Sequence, residues 1–152
     1  MPYIEEQAAM PAPAERVYAV LADYRVEHPR ILPRPPFGDI VVEEGGTGTG
    51  TVFRVTSRSL GQTREFRMRV SEPEAGRVLR ETDLPTGLWT DFVVTPTGPT
   101  SCTLKLATTW KEPKGIRGWI ERLVGPRLLR GVYRRELALI AAYVQTNPTA
   151  QP

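Results

Sequence analysis

The sequence predicts an α+β domain: a curved, seven-stranded antiparallel sheet around a long C-terminal helix, with two short helices after the first strand. Three observations carry this reading. Between Ile40 and Trp110, short stretches alternate polar and apolar residues and are separated by turn residues. After Trp110 the apolar spacing turns helical and stays so to about Val144. A chain of 152 residues, 40% hydrophobic and 24% charged, suits a single domain over residues 1–152 with one core.

The elements follow in order. Tyr3 to Ala9 reads as the first strand. Pro11 and Pro13 introduce a helix, because the missing N–H of proline costs nothing in the first helical turn. Val17, Val20, Leu21 and Tyr24 then recur at helical spacing on one face, with Asp23 near the end. Pro29, Pro33, Pro35 and Pro36 forbid a long helix beyond it, so Glu27 to Leu32 holds one short turn at most. Six strands follow: "DIVVEE", "TVFRVTSR", "QTREFRMRV", "RVLRETD", "WTDFVVT" and "SCTLKLATTW". The connections "SLG", "EPEAG", "LPTG" and "PTGPT" are short enough to demand antiparallel neighbours. Half-polar alternation leaves one sheet face wet, and the C-terminal helix is the only element long enough to cover the dry one. Within that helix the apolar row Ile116, Ile120, Leu123 gives way after Pro126 to Leu129, Val132, Tyr133, Leu137, Ile140 and Val144. The buried face jumps at Gly125–Pro126, which predicts a kink or a break there. Residues 145–152, "QTNPTAQP", read as a frayed tail. A strongly curved sheet around one helix rarely fills completely, so a cavity between them is expected.

Composition removes several classes of function. The longest apolar run, "LALIAAYV", is far below the ~20 residues of a membrane span. The N-terminal "MPYIEEQ" is acidic and has no apolar core, unlike a secretory signal. A lone Cys102 makes no internal disulfide and points to the cytoplasm. It has no basic neighbour and reads as a small buried hydrophobe. One His and one Cys do not make a typical zinc site, and no G-x-S-x-G accompanies the single His, so metal and hydrolase readings fall away. "GGTGTG" lies between strands and opens no helix, so it is a glycine hairpin and not a phosphate loop.

The segment "APAERVYAVLAD" (Ala12 to Asp23), the glycine-rich hairpin before "GTVFRV" and "RRELALIAAYV" (Arg134 to Val144) resemble the START-like (SRPBCC) superfamily. That superfamily includes polyketide cyclases and dehydratases, lipid-transfer domains and birch-pollen-type allergens. The resemblance spans about residues 3 to 144. It implies a helix-grip fold and an internal cavity for a hydrophobic small molecule. The family has no universal catalytic triad, so it carries no catalytic motif over to this chain. Gly125–Pro126 departs from the pattern by interrupting the gripped helix. In this frame the first helix and the proline-rich turn seal one end of the grip, which sets His28 near a cavity mouth.

The candidate site residues are few. His28 is the one side chain that titrates near neutrality, suited to donating to a ligand carbonyl or moving a proton, unless it simply packs beside Pro29. Arg64 shares a strand face with Phe66, Met68 and Val70; inward it binds a carboxylate or carbonyl, while at the strand start it escapes to solvent. Glu81 alternates with Leu79 and Asp83, and Asp91 with Trp89 and Val93. Either carboxyl suits a general base if buried, or an outward ion pair with arginine if not; Phe92 and Val94 make better inward residues than Asp91. Phe53, Val55, Phe66, Met68, Leu104, Leu106 and Trp110 are the expected lining, joined as ligand contacts by Ile31, Leu79, Phe92, Ile120 and Leu123. Each of these is equally plain core unless a void faces it.

These residues support binding of a hydrophobic or aromatic small molecule with one or two polar ends, oriented by His28 and Arg64. Two alternatives stand beside it. One is a cyclase- or dehydratase-like enzyme using His28 with Glu81 or Asp91 as acid and base; it requires two titratable groups converging on one void. The other is an interaction protein acting on RNA, ribosome or membrane through Arg127, Arg130, Arg134 and Arg135. No aromatic platform interleaves with those arginines, so a solvated helix face is favoured and nucleic acid is not expected as a partner. No cofactor is expected, and the oligomeric state stays open between monomer and dimer.

Overall fold

The computed structural model describes residues 3–59, 61–111 and 115–149, with the backbone alone described over 115–124. Strand β1 (Tyr3–Met10) leads into helix α1 (Ala14–Ala22) and a short 3-10 turn at His28–Arg30. Strands β2 (Val41–Glu44), β3 (Val52–Ser59), β4 (Gln62–Glu74), β5 (Val78–Asp83), β6 (Trp89–Gly98) and β7 (Ser101–Thr109) follow, then helix α2 (Gly115–Thr146). The strands form one seven-stranded sheet in the order β1-β7-β6-β5-β4-β3-β2. Every pairing is antiparallel. Six consecutive strands thus make a meander, and β1 joins its far edge through the crossing made by α1 and the proline-rich segment. Register shifts at Val42/Glu44, Ser71/Glu74 and Pro96/Gly98 mark bulges, which bend and twist strands into a curved sheet.

The α1 face read from the sequence is the buried one: Val17, Val20 and Leu21 are fully enclosed, and Tyr24 follows them into the core. Pro13 caps the helix with its carbonyl, which accepts from the N–H groups of Arg16 and Val17. On α2, Tyr133, Leu137, Ile140 and Val144 are buried against the concave sheet face, where Leu79, Phe92, Val94, Leu104 and Leu106 meet them. The glycine hairpin docks on the end of α1. Tyr24 N–H donates to Gly46 O and Gly48 N–H to Ala22 O. Gly48 sits at φ +59, and a Cβ there would lie 2.5 Å from Glu72 Oε1, so the loop's close approach needs glycine.

Two expectations are corrected. Of the kink or break expected at Gly125–Pro126, the break does not occur: α2 runs continuously from Gly115 to Thr146 with Pro126 inside it. A glycine before the proline relieves the clash that a Cβ at that position makes with the proline ring, which lets the helix continue. The tail begins later than residue 145, because Gln145 and Thr146 are helical and Asn147 N–H donates to Tyr143 O. Asn147 is held from a second side, its carbonyl accepting from Arg16 Nε at 2.9 Å. Among the described residues no helix is long and apolar enough to cross a membrane.

Candidate functional site

Strand register sets the site. Glu81 of β5 lies opposite Thr90 of β6, and Thr90 lies opposite Thr108 of β7. Side chains directly opposite on adjacent strands point the same way, so these three make a polar row across the concave face. The apolar pairs Phe53–Met68 and Val55–Phe66 of β3 and β4 extend that face. Above it, Leu129, Tyr133 and Glu136 project from α2 at helical spacing. Between the two layers is a cavity of about 120 Å³. Leu32, Phe37, Ile40 and Leu88, all half-buried, also line it, His28 and Phe92 form part of its wall, and its surface is mostly apolar.

The polar groups in the wall are specific in their bonding. His28 is almost fully enclosed, and its Nδ1 lies 2.7 Å from Leu21 O. A carbonyl only accepts, so Nδ1 carries the hydrogen and Nε2 is left as a lone pair. That Nε2 is 3.6 Å from Glu81 Oε1. Burial pulls the imidazole down to about 4, so it is neutral at physiological pH. Glu81 accepts from Tyr24 Oη at 2.6 Å, yet burial outweighs that bond and pushes its carboxyl up to about 7. Glu136 is 3% exposed and makes no hydrogen bond among the described residues. Burial, reinforced by the charge of Glu81, holds its carboxyl well above the usual carboxylate range. Tyr133 Oη bonds the hydroxyls of Thr108 and Thr90, and burial raises it to about 12. The ring of Tyr24 stacks on His28 at 4.4 Å and on Phe53 at 4.8 Å, while Phe92 meets His28 edge-on at 5.8 Å.

Of the residues singled out in the sequence, His28, Phe53, Val55, Phe66, Met68, Glu81 and Phe92 meet at this cavity. Ile31, Leu79, Leu104 and Leu106 are buried core that does not face it, and Trp110 is half-buried against the core beyond it. The side chains of Ile120 and Leu123 lie outside the described residues. Two expectations, for Arg64 and His28, are corrected, and Asp91 takes the outward one of its two alternatives. Arg64 is exposed at the β3–β4 hairpin end, opposite Ser57, where the strand leaves the sheet's enclosed part. Asp91 points to the outer face, because its neighbours Thr90 and Phe92 take the inward positions. There it is held by Arg80 through two bonds, at 2.7 and 2.9 Å. His28 is inside the wall and not at the mouth, and with its Nδ1–H given to Leu21 O the remaining Nε2 accepts and does not donate. Three of the four arginines in the α2 row are engaged: Arg130 and Arg134 pair with Glu6 at 3.3 and 3.2 Å, and Arg135 donates to Pro35 O.

Sequence reasoning missed Glu136, Thr90 and Thr108, and took Tyr133 only as core. A signal for Glu136 existed. It falls seven residues after Leu129, three after Tyr133 and four before Ile140, on the apolar stripe itself. A carboxyl there has no solvent to reach. Among the described residues no cluster of His, Cys, Asp and Glu is arranged to hold a metal ion.

Comparison with known proteins agrees with this architecture. The NMR structure of the KanY protein is 26% identical, with a TM-score of 0.81 over 95% of this chain and 99% of that one. The Zhui aromatase/cyclase of Streptomyces sp. R1128 is 17% identical, covering 98% of this chain and 96% of its own at a TM-score of 0.73. Norcoclaurine synthase of Thalictrum flavum is 18% identical, covering 98% and 89% at a TM-score of 0.72. The latter two likenesses establish a shared fold. No curated protein matches the sequence. The family model for polyketide cyclase/dehydrase and lipid transport matches residues 1–145, and the chain belongs to that family within the START-like superfamily.

Proposed function

We propose that this protein binds a small, largely apolar molecule inside the grip, between the concave sheet and α2. One observation carries the reading: the cavity is enclosed mainly by apolar side chains, yet His28, Glu81 and Glu136 face it from three separate elements. That is the composition of a ligand pocket, an apolar wall with a few polar groups that fix orientation. The volume of about 120 Å³ is somewhat below the ~150 Å³ cavity that holds one benzene ring, which limits the guest to about a single ring. Contact with the apolar wall contributes ~25 cal/mol for each Å² of guest surface removed from water. Native mass spectrometry of protein isolated from its own host tests this. A noncovalent small-molecule adduct is expected, lost on denaturation and absent from a Leu88→Trp variant that fills the space. Bare chain alone, in both proteins, overturns the reading.

The convergence of His28 and Glu81 favours a second reading, acid–base catalysis of the cyclase or dehydratase kind. Glu81 titrates near neutrality, where a proton-transferring group works best, and the His28 Nε2 lone pair faces it. Asp91 has no part in this chemistry. Exchange of the α-hydrogens of acetophenone with deuterated water, followed by NMR, tests it. Acceleration by the native protein and none by Glu81→Gln supports catalysis. Equal rates in both remove it.

A further inference from the structure

The polar groups that face the cavity share a property that neither reading uses. Glu81 and Glu136 present carboxyl oxygens, and His28 presents the lone pair of Nε2, because its Nδ1–H is committed to Leu21 O. The wall is therefore rich in acceptors. Among the described residues, no lysine or arginine lines it. Glu136 is 97% buried by complement of its 3% exposure, faces the space, and has no hydrogen-bond partner among the described residues. A carboxyl so placed is costly unless something arrives to pair with it. The remaining wall contains all four phenylalanines of the chain, Phe37, Phe53, Phe66 and Phe92. Phenylalanine faces carry a partial negative charge and attract cations as well as apolar groups.

We propose that the guest is an organic ammonium: a protonated amine on an apolar body of about one ring, its nitrogen between Glu81 and Glu136 and its body against the phenylalanines. This rests on the ligand-binding reading above and names the chemical class that the pocket takes. The empty pocket keeps its acids partly protonated by burial, so the ammonium replaces carboxyl protons when it enters. Binding must then release protons and strengthen as pH rises, until the amine itself loses its charge. The groups facing the two acids are His28 from the 3-10 turn, Tyr24 from the end of α1 and Tyr133 from α2. All three are neutral near pH 7, so none supplies a competing positive charge.

Isothermal calorimetry with benzylamine, benzyl alcohol and benzoate separates the possibilities. Benzylamine should bind at least ~10-fold more tightly than benzyl alcohol and weaken between about pH 8 and pH 6. Its binding heat should change with the ionisation enthalpy of the buffer, reporting proton release. Glu136→Gln should lower benzylamine affinity to the level that the native protein shows for the alcohol, and cooperative urea unfolding of the variant shows that it is folded. Alcohol or benzoate binding as tightly as the amine overturns the ammonium inference and leaves the cavity reading standing. Failure of all three compounds to bind overturns both.

Discussion

Replacing Glu81 and His28 one at a time by glutamine should give stability–pH profiles that diverge from the native one in opposite directions. In the unfolded chain, between about pH 4.5 and 6.5, this pair holds one proton, on the imidazole. In the folded chain it again holds one, but on the carboxyl, since burial takes His28 from 6.5 to about 4 and Glu81 from 4.5 to about 7. Folding thus moves a proton from His28 to Glu81 without changing their number, and the pair adds almost no pH dependence. Removing Glu81 leaves a histidine that binds a proton only when unfolded. Stability of Glu81→Gln should therefore rise with pH between about 4 and 6.5, and its difference from native, set by the missing carboxyl, should rise between about pH 4.5 and 7. At about 1.4 kcal/mol per pH unit, that displacement amounts to about 3 kcal/mol. Removing His28 leaves a carboxyl that binds a proton only when folded, so stability of His28→Gln should fall between about pH 4.5 and 7, and its difference from native, set by the missing imidazole, should fall by a similar amount between about pH 4 and 6.5. Glu136 adds a falling slope of its own; that slope is smaller in Glu81→Gln, which lacks the charge of Glu81, so the difference of that variant from native still rises with pH. Urea unfolding at closely spaced pH values gives those curves. A Glu81→Gln difference that is flat, or that falls with pH, refutes the proton transfer.

Other perturbations test separate parts of the structure. Arg16 and Glu27 form a buried pair, bonded at 3.0 and 2.5 Å, so Arg16→Met should cost about 3 to 5 kcal/mol in urea unfolding. Adding Glu27→Leu to that variant should restore part of the loss. Gly48→Ala forces a side chain into a left-handed conformation against Glu72, and thermal unfolding should show a loss of about 1 to 2 kcal/mol. Asp91→Asn cuts a partly exposed ion pair on the outer face, so it should cost at most about 1 kcal/mol and leave benzyl alcohol affinity unchanged. A large drop in that affinity would return Asp91 to the site.

The fold was legible because period and punctuation agree along the chain. Alternation in "QTREFRMRV" placed Phe66 and Met68 inward, and the prolines after Tyr24 confined His28 to one short turn. The same alternation placed Arg64 on the inward-facing side of β4, but alternation says nothing about where along a strand the enclosure ends. That requires knowing how far α2 reaches. Thr90 and Thr108 became a polar row only through the β5–β6–β7 register, which pairs residues distant in sequence. Leu32, Phe37 and Ile40 come from irregular segments with no period to read. Pro126 shows the limit of a local rule: its penalty predicts an interruption, and the chain instead keeps one helix through Gly125–Pro126.

Methyl NMR during a toluene titration tests the guest-accepting cavity most directly. The Met68, Val55, Leu88 and Leu129 methyls line the space and should shift and saturate together, while those of Leu104 and Leu106, buried outside it, stay in place. Methyl positions unchanged up to the solubility limit of toluene, or equal shifts in both groups, would contradict a discrete pocket inside the grip.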